Sequence, residues 1–511
     1  MTTMETSTNL EKNTRSIQRI SKNFFFLLIA RVIDAGAQLL TISLISRYLG
    51  AARYGDYGYI ISFAFLTISF TYIGLERIAI REISNDKTKS GQYLGACIIV
   101  RWAYAAIGWL FMTGIIIFLH LPSEIVLGIY ITNLALNFMG ESYIYFALFK
   151  AHEKMSYETL AAGVFQLLNI GAILFVKFFN MGFIALFIGL LIANGIRNFL
   201  CLIIAWKRFC PPRFKINFSL FNFLIRETYT FGFFVLISQV FVYVDLFILK
   251  ALKNSYDVSL FYGPHNFFLL LNIIPASLMA SIFPVLSRAA NNIDTSSLAY
   301  GFEKSFRILA FGILFLVVLF VIFANQIIII LFGTEFQGAL LSFQIMALGL
   351  LFIVPFHAIE FTLISINKQN YLLYCPLVAL LLRVVLDIIL VPQFSYIGAS
   401  IAASCSYFFF FLSGLFFINK FVAHQSVYKL LLRPVLASIL LALCLYPMRE
   451  INICIIGPVS LILFAGSLIV TKSFSNDEIH FLKALLKKAS FIVNNKIGFN
   501  KNTMSRKKED L

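Results

Sequence analysis

Four arginines stand where the surrounding sequence is apolar, and they are the residues with most chemistry to offer. Arg31, Arg101, Arg197 and Arg383 each fall inside a long hydrophobic run. A guanidinium presents planar donors that fork around a carboxylate or a phosphate. Placing a charge in a bilayer costs about 2.5–3.5 kcal/mol on insertion scales, so such residues usually face a bundle interior or a watery cavity. Arg31, Arg101 and Arg197 lie about seven to ten residues from one end of their runs, roughly 10–15 Å deep at the rise of a helix. Snorkelling to the interface is the competing reading for these three. Arg383 lies about ten residues from either end of its run, where the same side chain falls short, and it is the first candidate to hold an anion.

Acids accompany two of them. Asp34 follows Arg31 by three residues and Asp387 follows Arg383 by four, so each pair shares a helical face. Such a pair either neutralises itself for insertion or lets the aspartate tune the arginine's hold on a phosphate. Glu141 lies deep in its own run with Asn133 and Asn137 on nearby turns, which makes it a candidate for coupling or for touching a sugar. A carboxyl in low dielectric can carry a proton, and sodium coordination is the competing use. Asp245 and Glu360 lie closer to run ends, where simple solvation is expected. Pro264, Pro275 and Pro284 fall on a single run. Proline kinks a helix, and the choice is between a gating bend and a static one.

Other chemistry is missing. The chain has no G-x-x-x-x-G-K-[ST] loop, no H-E-x-x-H, no EF-hand loop and no G-x-S-x-G, and its six histidines are scattered singly. Those absences argue against ATP-driven transport by this chain alone and against metal catalysis. No cofactor is expected. A proton or sodium gradient, or the substrate's own concentration difference, would supply the energy.

The elements that must position these residues are membrane helices. Of 511 residues, 60% are hydrophobic and 13% charged, against about 25% charged in soluble domains. Mean hydropathy is +0.87. A span needs roughly 20 mostly apolar residues, and the expected spans are 24–46, 57–76, 93–119, 124–149, 159–176, 182–205, 228–249, 258–284, 308–331, 339–364, 371–392, 396–418, 430–447 and 451–471. Every connection is short, so no soluble domain is inserted. The fold class expected is all-α and polytopic.

The net charge of +17 is distributed between these runs rather than gathered in a patch, so nucleic acid is not the expected partner. With the N-terminus inside, 31 of the 41 Lys and Arg fall in inner segments or, as Arg433 does, at the inner edge of a span, six in outer segments and four deeper within spans. That bias orients a multi-pass chain with both termini in the cytoplasm. The seven cysteines show no CxxC and no metal spacing, and a disulfide is not expected. The polar, basic residues 1–23 precede a retained helix rather than a cleaved signal. From Lys472 the tail is basic and partly amphipathic, suited to an anionic membrane surface.

The stretch Arg31 to Phe65 turns through Arg47-Tyr48-Leu49-Gly50 and Tyr54-Gly55-Asp56-Tyr57-Gly58 between two apolar runs. A weaker echo appears at Leu249-Lys250-Ala251-Leu252, Tyr256 and Phe261-Tyr262-Gly263. Chance similarity in an apolar chain is the alternative to duplication. Duplication divides the chain into a first six-helix lobe (24–205), an inter-lobe linker (206–227), a second lobe (228–418), two extra helices (430–471) and the tail (472–511). In secondary transporters the site lies at the interface between repeats.

The opening residues, with Tyr72-Ile73-Gly74-Leu75-Glu76-Arg77 and Arg81-Glu82-Ile83, resemble bacterial oligosaccharide flippases. These are the O-antigen and capsule repeat-unit translocases of the multidrug/oligosaccharidyl-lipid/polysaccharide exporter superfamily. Ile273-Ile274-Pro275 through Phe283-Pro284-Val285-Leu286-Ser287 resembles that family's eighth helix. The motifs cover about residues 22–90 and 258–288, and the topology covers the whole length. The resemblance implies two lobes around a central cavity that opens alternately to each side of the inner membrane. It implies an undecaprenyl-diphosphate-linked oligosaccharide as substrate, moved from the cytoplasmic to the periplasmic leaflet for surface polysaccharides such as lipopolysaccharide. Arg31, Arg101, Arg197 and Arg383 match the family's cavity cations by type and depth, and Asp34 and Asp387 depart from the pattern. The expected partners are the lipid-linked oligosaccharide, membrane lipids, a polysaccharide polymerase and a chain-length regulator.

A cation-coupled multidrug exporter is the first rival, and it would place acids rather than arginines in the cavity. A peptidoglycan-precursor flippase is the second. A polymerase or glycosyltransferase would need a sizeable outer loop or a soluble catalytic domain, and the sequence has neither, so an enzyme is not expected.

Overall fold

A computed structural model describes residues 2–71, 74–214, 218–291, 295–422, 427–471 and 473. Side chains are described from 34 onward, apart from 230, 231, 291, 295, 427–429 and 454. Among these residues the regular structure is all helical, with no strand. In chain order the helices are α1 (Thr2–Ile68), α2 (Leu75–Asn85), α3 (Ser90–Leu119), α4 (Ser123–Ala151), α5 (Ser156–Phe179), α6 (Phe183–Arg208), α7 (Phe218–Leu252) and α8 (Ser255–Leu271). They continue with α9 (Ile273–Asn291), α10 (Thr295–Ile322), α11 (Ala324–Leu331), α12 (Leu340–Ser365), α13 (Tyr374–Phe421), α14 (Val427–Leu445) and α15 (Ile453–Val470). Nine helical stretches among the described residues are long and apolar enough to cross a membrane. The amphipathic tail expected beyond Lys472 lies, Ser473 apart, outside the described residues.

The departures from even spans have local causes. Gly50 adopts φ 68° and breaks α1 into two helices, a conformation open to glycine at little cost. Ser395 at φ 50° breaks α13 in the same way, with Pro392 just before it, and its hydroxyl donates to Asp257 Oδ2 at 2.7 Å. The second expected span stops at Ile68. Ser69 and Thr71 turn their hydroxyls back onto the carbonyls of Leu66 and Ile68. Gly74 at φ 83° then starts the short α2. That helix is amphipathic: Leu75, Ile78, Ala79 and Ile83 are buried, while Arg77 and Arg81 stay exposed. The run holding three prolines divides at Asn272. Pro275 lacks the N–H that would bond to Leu271, and its ring would crowd that carbonyl, so α8 ends at Leu271.

Two compact units emerge from the packing. One comprises Met1–Phe306 and Ala324–His424, the other Arg307–Phe323 and Gln425–Leu511. Within the larger unit α4 packs on α6 and α1, α5 on α6 and α1, α12 on α13 and α13 on α7, while α1 also packs on α8. One core joins Leu94 and Cys97 of α3 to Tyr145 and Phe149 of α4, Cys201 and Ala205 of α6 and Leu224 of α7. A second joins Tyr59, Ile60 and Phe63 of α1 to Met112, Ile129 and Phe187. Within the smaller unit α14 packs on α15, and the rings of Phe315 and Phe464 lie 5.3 Å apart in a tilted contact.

Candidate functional site

Arg383 is fully buried, and its partner is not Asp387 on its own helix. Its Nε donates to Asp245 Oδ1 of α7 at 2.7 Å, and Nη2 meets Asp245 Oδ2. The guanidinium is packed between Phe241 and Tyr407, 4.8 and 5.4 Å from the ring centroids. Asp245, expected near a solvated helix end, is fully buried, because α7 continues to Leu252 and carries it inside the bundle. Asp387 is buried beside this pair with neither oxygen hydrogen-bonded. His265 of α8 adds a fourth buried titratable group, its ring stacked on Phe261 at 5.4 Å.

The other candidates sit among α1 to α6. The side chain of Arg31 lies outside the described ones. Asp34 accepts from Gln38 Nε2 at 3.1 Å and from Gln166 Nε2 of α5, so it ties α1 to α5 through amides. Arg197 is buried, donates to Asn194 Oδ1 at 2.7 Å and lies 4.5 Å from the Phe165 centroid. Glu141 accepts from Trp102 Nε1 at 2.9 Å and from the Tyr145 hydroxyl at 3.2 Å.

Arg101 has a cavity beside it. Its Nη1 donates to Thr71 Oγ1 at 3.0 Å and Nη2 to the Asn137 carbonyl at 2.9 Å. Asn137 is held in turn by its amide bond to Asn133. Gly140 makes room for the guanidinium: a Cβ there would fall 2.2 Å from Nη2. The cavity measures about 230 Å³ and is lined by Thr71, Glu76, Arg77, Arg101, Gly140 and Tyr143, with Val235 of α7 also on its wall. Arg77 was not singled out as a site residue from sequence, although its place in a G-L-x-R motif was the signal. Glu76 is turned toward Lys150 in the last turn of α4, whose Nζ donates to Glu76 Oε1 at 2.8 Å and lies 3.5 Å from Glu158 Oε1. Burial works against the Lys150 charge, but the two glutamates more than offset it and hold the ammonium above the usual lysine range.

Both ends of α4 carry charge, about 40 Å apart at the rise of a helix. Lys150 and the cavity lie toward its end; at its start Glu124 pairs with Arg53 at 2.6 Å, and this second face is closed. Arg47 donates to the carbonyls of Ile329 and Ile330 at the end of α11. In return, Glu335 Oε2 accepts from the Ala51 N–H, at the N-terminus exposed by the break at Gly50. Each side chain satisfies backbone groups that a helix end leaves unpaired. Lys250 and Ser255 both donate to Asp56 Oδ1, at 2.7 and 2.6 Å. Gly55 lies against the Ser255 backbone and Gly58 against the Tyr262 ring, so tightly that no Cβ fits at either position. Tyr54 is buried among Tyr262, Phe332 and Phe336.

This arrangement has relatives. A solved lipid II flippase, MurJ in an inward closed conformation, superposes with a TM-score of 0.72 at 17% identity, over 90% of this chain and 99% of that one. An inward-facing multidrug resistance MATE family transporter of the MOP superfamily superposes with a TM-score of 0.62 at 14% identity, over 77% of this chain and 98% of that one. These likenesses establish the polytopic fold. An uncharacterized membrane protein of Methanocaldococcus jannaschii, MJ1068, is 26% identical over 242 residues, 45% of this chain and 46% of that protein. The chain thus spans about half the length of the curated relative it matches. Residues 20–290 match the family described as polysaccharide biosynthesis protein, and this multi-pass membrane chain belongs to that family.

Proposed function

We propose that the protein is a flippase for lipid-linked oligosaccharides, taking an undecaprenyl-diphosphate-linked repeat unit from the cytoplasmic leaflet of the inner membrane to the periplasmic one by alternating access. The observation that carries this reading is the cavity shared by Arg77 and Arg101. Arg77 and Arg101 both line a space of about 230 Å³ beside the half of α4 that ends in Lys150. With the termini cytoplasmic, as the charge bias supports, that space lies on the cytoplasmic side of the bundle, inward of the inner-leaflet headgroups. Planar, bidentate donors suit a diphosphate, and Tyr143 beside them offers a face for a sugar. The closed contact of α1 with α8 and α11 is then the periplasmic gate. Arg383, taken up by Asp245, serves coupling rather than substrate: Asp387 next to that pair is where a proton or a sodium ion would be exchanged. Pro275, at the α8–α9 break, supplies the bend.

Family membership favours a polysaccharide precursor over a drug. A multidrug exporter would need acids to dominate the cavity, and here Glu76 is the lone carboxylate against two arginines among the described lining residues. Cells lacking the protein should accumulate lipid-diphosphate-linked oligosaccharide on the inner leaflet and lose surface glycan. A wild-type copy should reverse both effects, and an Arg77→Ala/Arg101→Ala copy should not. Unchanged surface glycan with loss of peptidoglycan precursor export would move the substrate to the cell-wall lipid. Unchanged lipid-linked sugar with new sensitivity to cationic drugs would overturn the reading.

A further inference from the structure

The cavity carries a carboxylate on its wall that a diphosphate would not tolerate. Glu76 is the residue before Arg77 on α2, and both line the space with Arg101. An ionised carboxylate there would cancel one of the two guanidinium charges and repel the ligand. Lys150 changes that balance. Its ammonium is 2.8 Å from Glu76 Oε1 and 3.5 Å from Glu158 Oε1, with all three groups between about one seventh and one third exposed. It belongs to α4, the helix that also supplies Gly140 and Tyr143 to the cavity.

We infer that Lys150 is a positioning residue for an anionic ligand: by pairing with Glu76 it neutralises the carboxylate on the cavity wall, so that Arg77 and Arg101 set the sign of the charge the ligand meets. The inference rests on the assignment of the cavity to a diphosphate. Glu76 and Lys150 then form a selectivity filter. With the pair intact, the cavity is cationic and takes a diphosphate; with the pair broken, Glu76 turns to the arginines as their own internal anion. Because the pair is partly exposed, its effect on binding is electrostatic and falls with salt.

A clamp between α2 and α4 with no bearing on charge is the alternative, and the two separate in binding to inorganic pyrophosphate by purified protein in detergent. Lys150→Gln should weaken binding on the order of tenfold, the size expected of one uncompensated charge at this range. Lys150→Arg should restore it. Glu76→Gln should bind at least as well as the natural protein, and Glu76→Gln/Lys150→Gln should recover what Lys150→Gln loses. The loss should shrink at high salt. A clamp would instead make Glu76→Gln as harmful as Lys150→Gln and the double variant no better, and that pattern would overturn the inference. Arg77→Gln/Arg101→Gln is the control for the underlying site. If pyrophosphate binds that variant normally, the cavity assignment itself falls; if binding is lost there while Lys150→Gln binds normally, only the role of Lys150 falls.

Discussion

Arg383 on α13 and Asp245 on α7 form an ion pair in which both side chains have no exposure at all. Removing two charges from water is expensive, and only close geometry offsets it. Losing one partner is worse, because the other remains buried and unpaired. Arg383→Ala and Asp245→Ala should each cost about 3–5 kcal/mol of stability. An apolar replacement of both, Arg383→Met with Asp245→Leu, should unfold near the natural temperature in detergent while ending any dependence of transport on an ion gradient. If the single variants were as stable as the natural protein, the pair would not be the brace that its burial implies.

Gly140 and Arg101 test the cavity from its wall. Any side chain at 140 must displace the guanidinium, since a Cβ would overlap it. Gly140→Ala should therefore lower pyrophosphate affinity about as much as losing one charged hydrogen-bonding group, on the order of tenfold. The helix itself gains from alanine, so thermal stability should change little. Asn137→Ala should act more weakly, because it is the Asn137 backbone carbonyl that accepts from Arg101 at 2.9 Å.

Much of this was legible in the sequence. The hydrophobic runs fall on helices, but the turn expected over Arg47–Gly58 is confined to the single break at Gly50, with Tyr54 to Gly58 already helical. What one-dimensional spacing could not supply was the partner across the bundle. Arg383 and Asp387 share a face as their spacing requires, yet Asp245, 138 positions away, takes the guanidinium. Arg77 is visible in the Tyr72–Arg77 stretch, but its spacing alone does not mark it as a site residue. Only the packing of α2 beside α3 and α4 brings Arg77 and Arg101 to the wall of one cavity. Lys150 was one of many inner-loop lysines, and its significance depends on Glu76, which comes from another helix.

Reciprocal capping makes a prediction of its own at the closed face. Arg47 and Glu335 each satisfy the helix end from which the other is reached, so their removal should destabilise this closed state by about 1 kcal/mol apiece, as helix caps do. Arg47→Ala or Glu335→Ala should raise the labelling of a cysteine placed at Tyr54, which is buried in this state. Unchanged labelling would mean that the aromatic packing of Tyr54 alone keeps the face shut.

The same face decides whether transport requires it to part. Asp56 of α1 and Ser255 of α8 touch through their side-chain oxygens at 2.6 Å, and Lys250 braces both. Gly55 and Gly58 let the two backbones approach closely here, so even a small opening would separate these residues. Cysteines at 56 and 255, joined by a short bifunctional thiol reagent with a reducible linker, should stop delivery of lipid-linked sugar to the outer leaflet. Pyrophosphate binding should persist, because that cavity lies toward the other end of α4. Cleaving the linker should restore delivery to the level of the uncrosslinked cysteine variant. Because each cysteine removes part of the Lys250 contact, that variant, and not the natural protein, is the proper reference. Delivery that continued with the linker in place would show that substrate passes without separating α1 from α8, which would exclude this face as the gate.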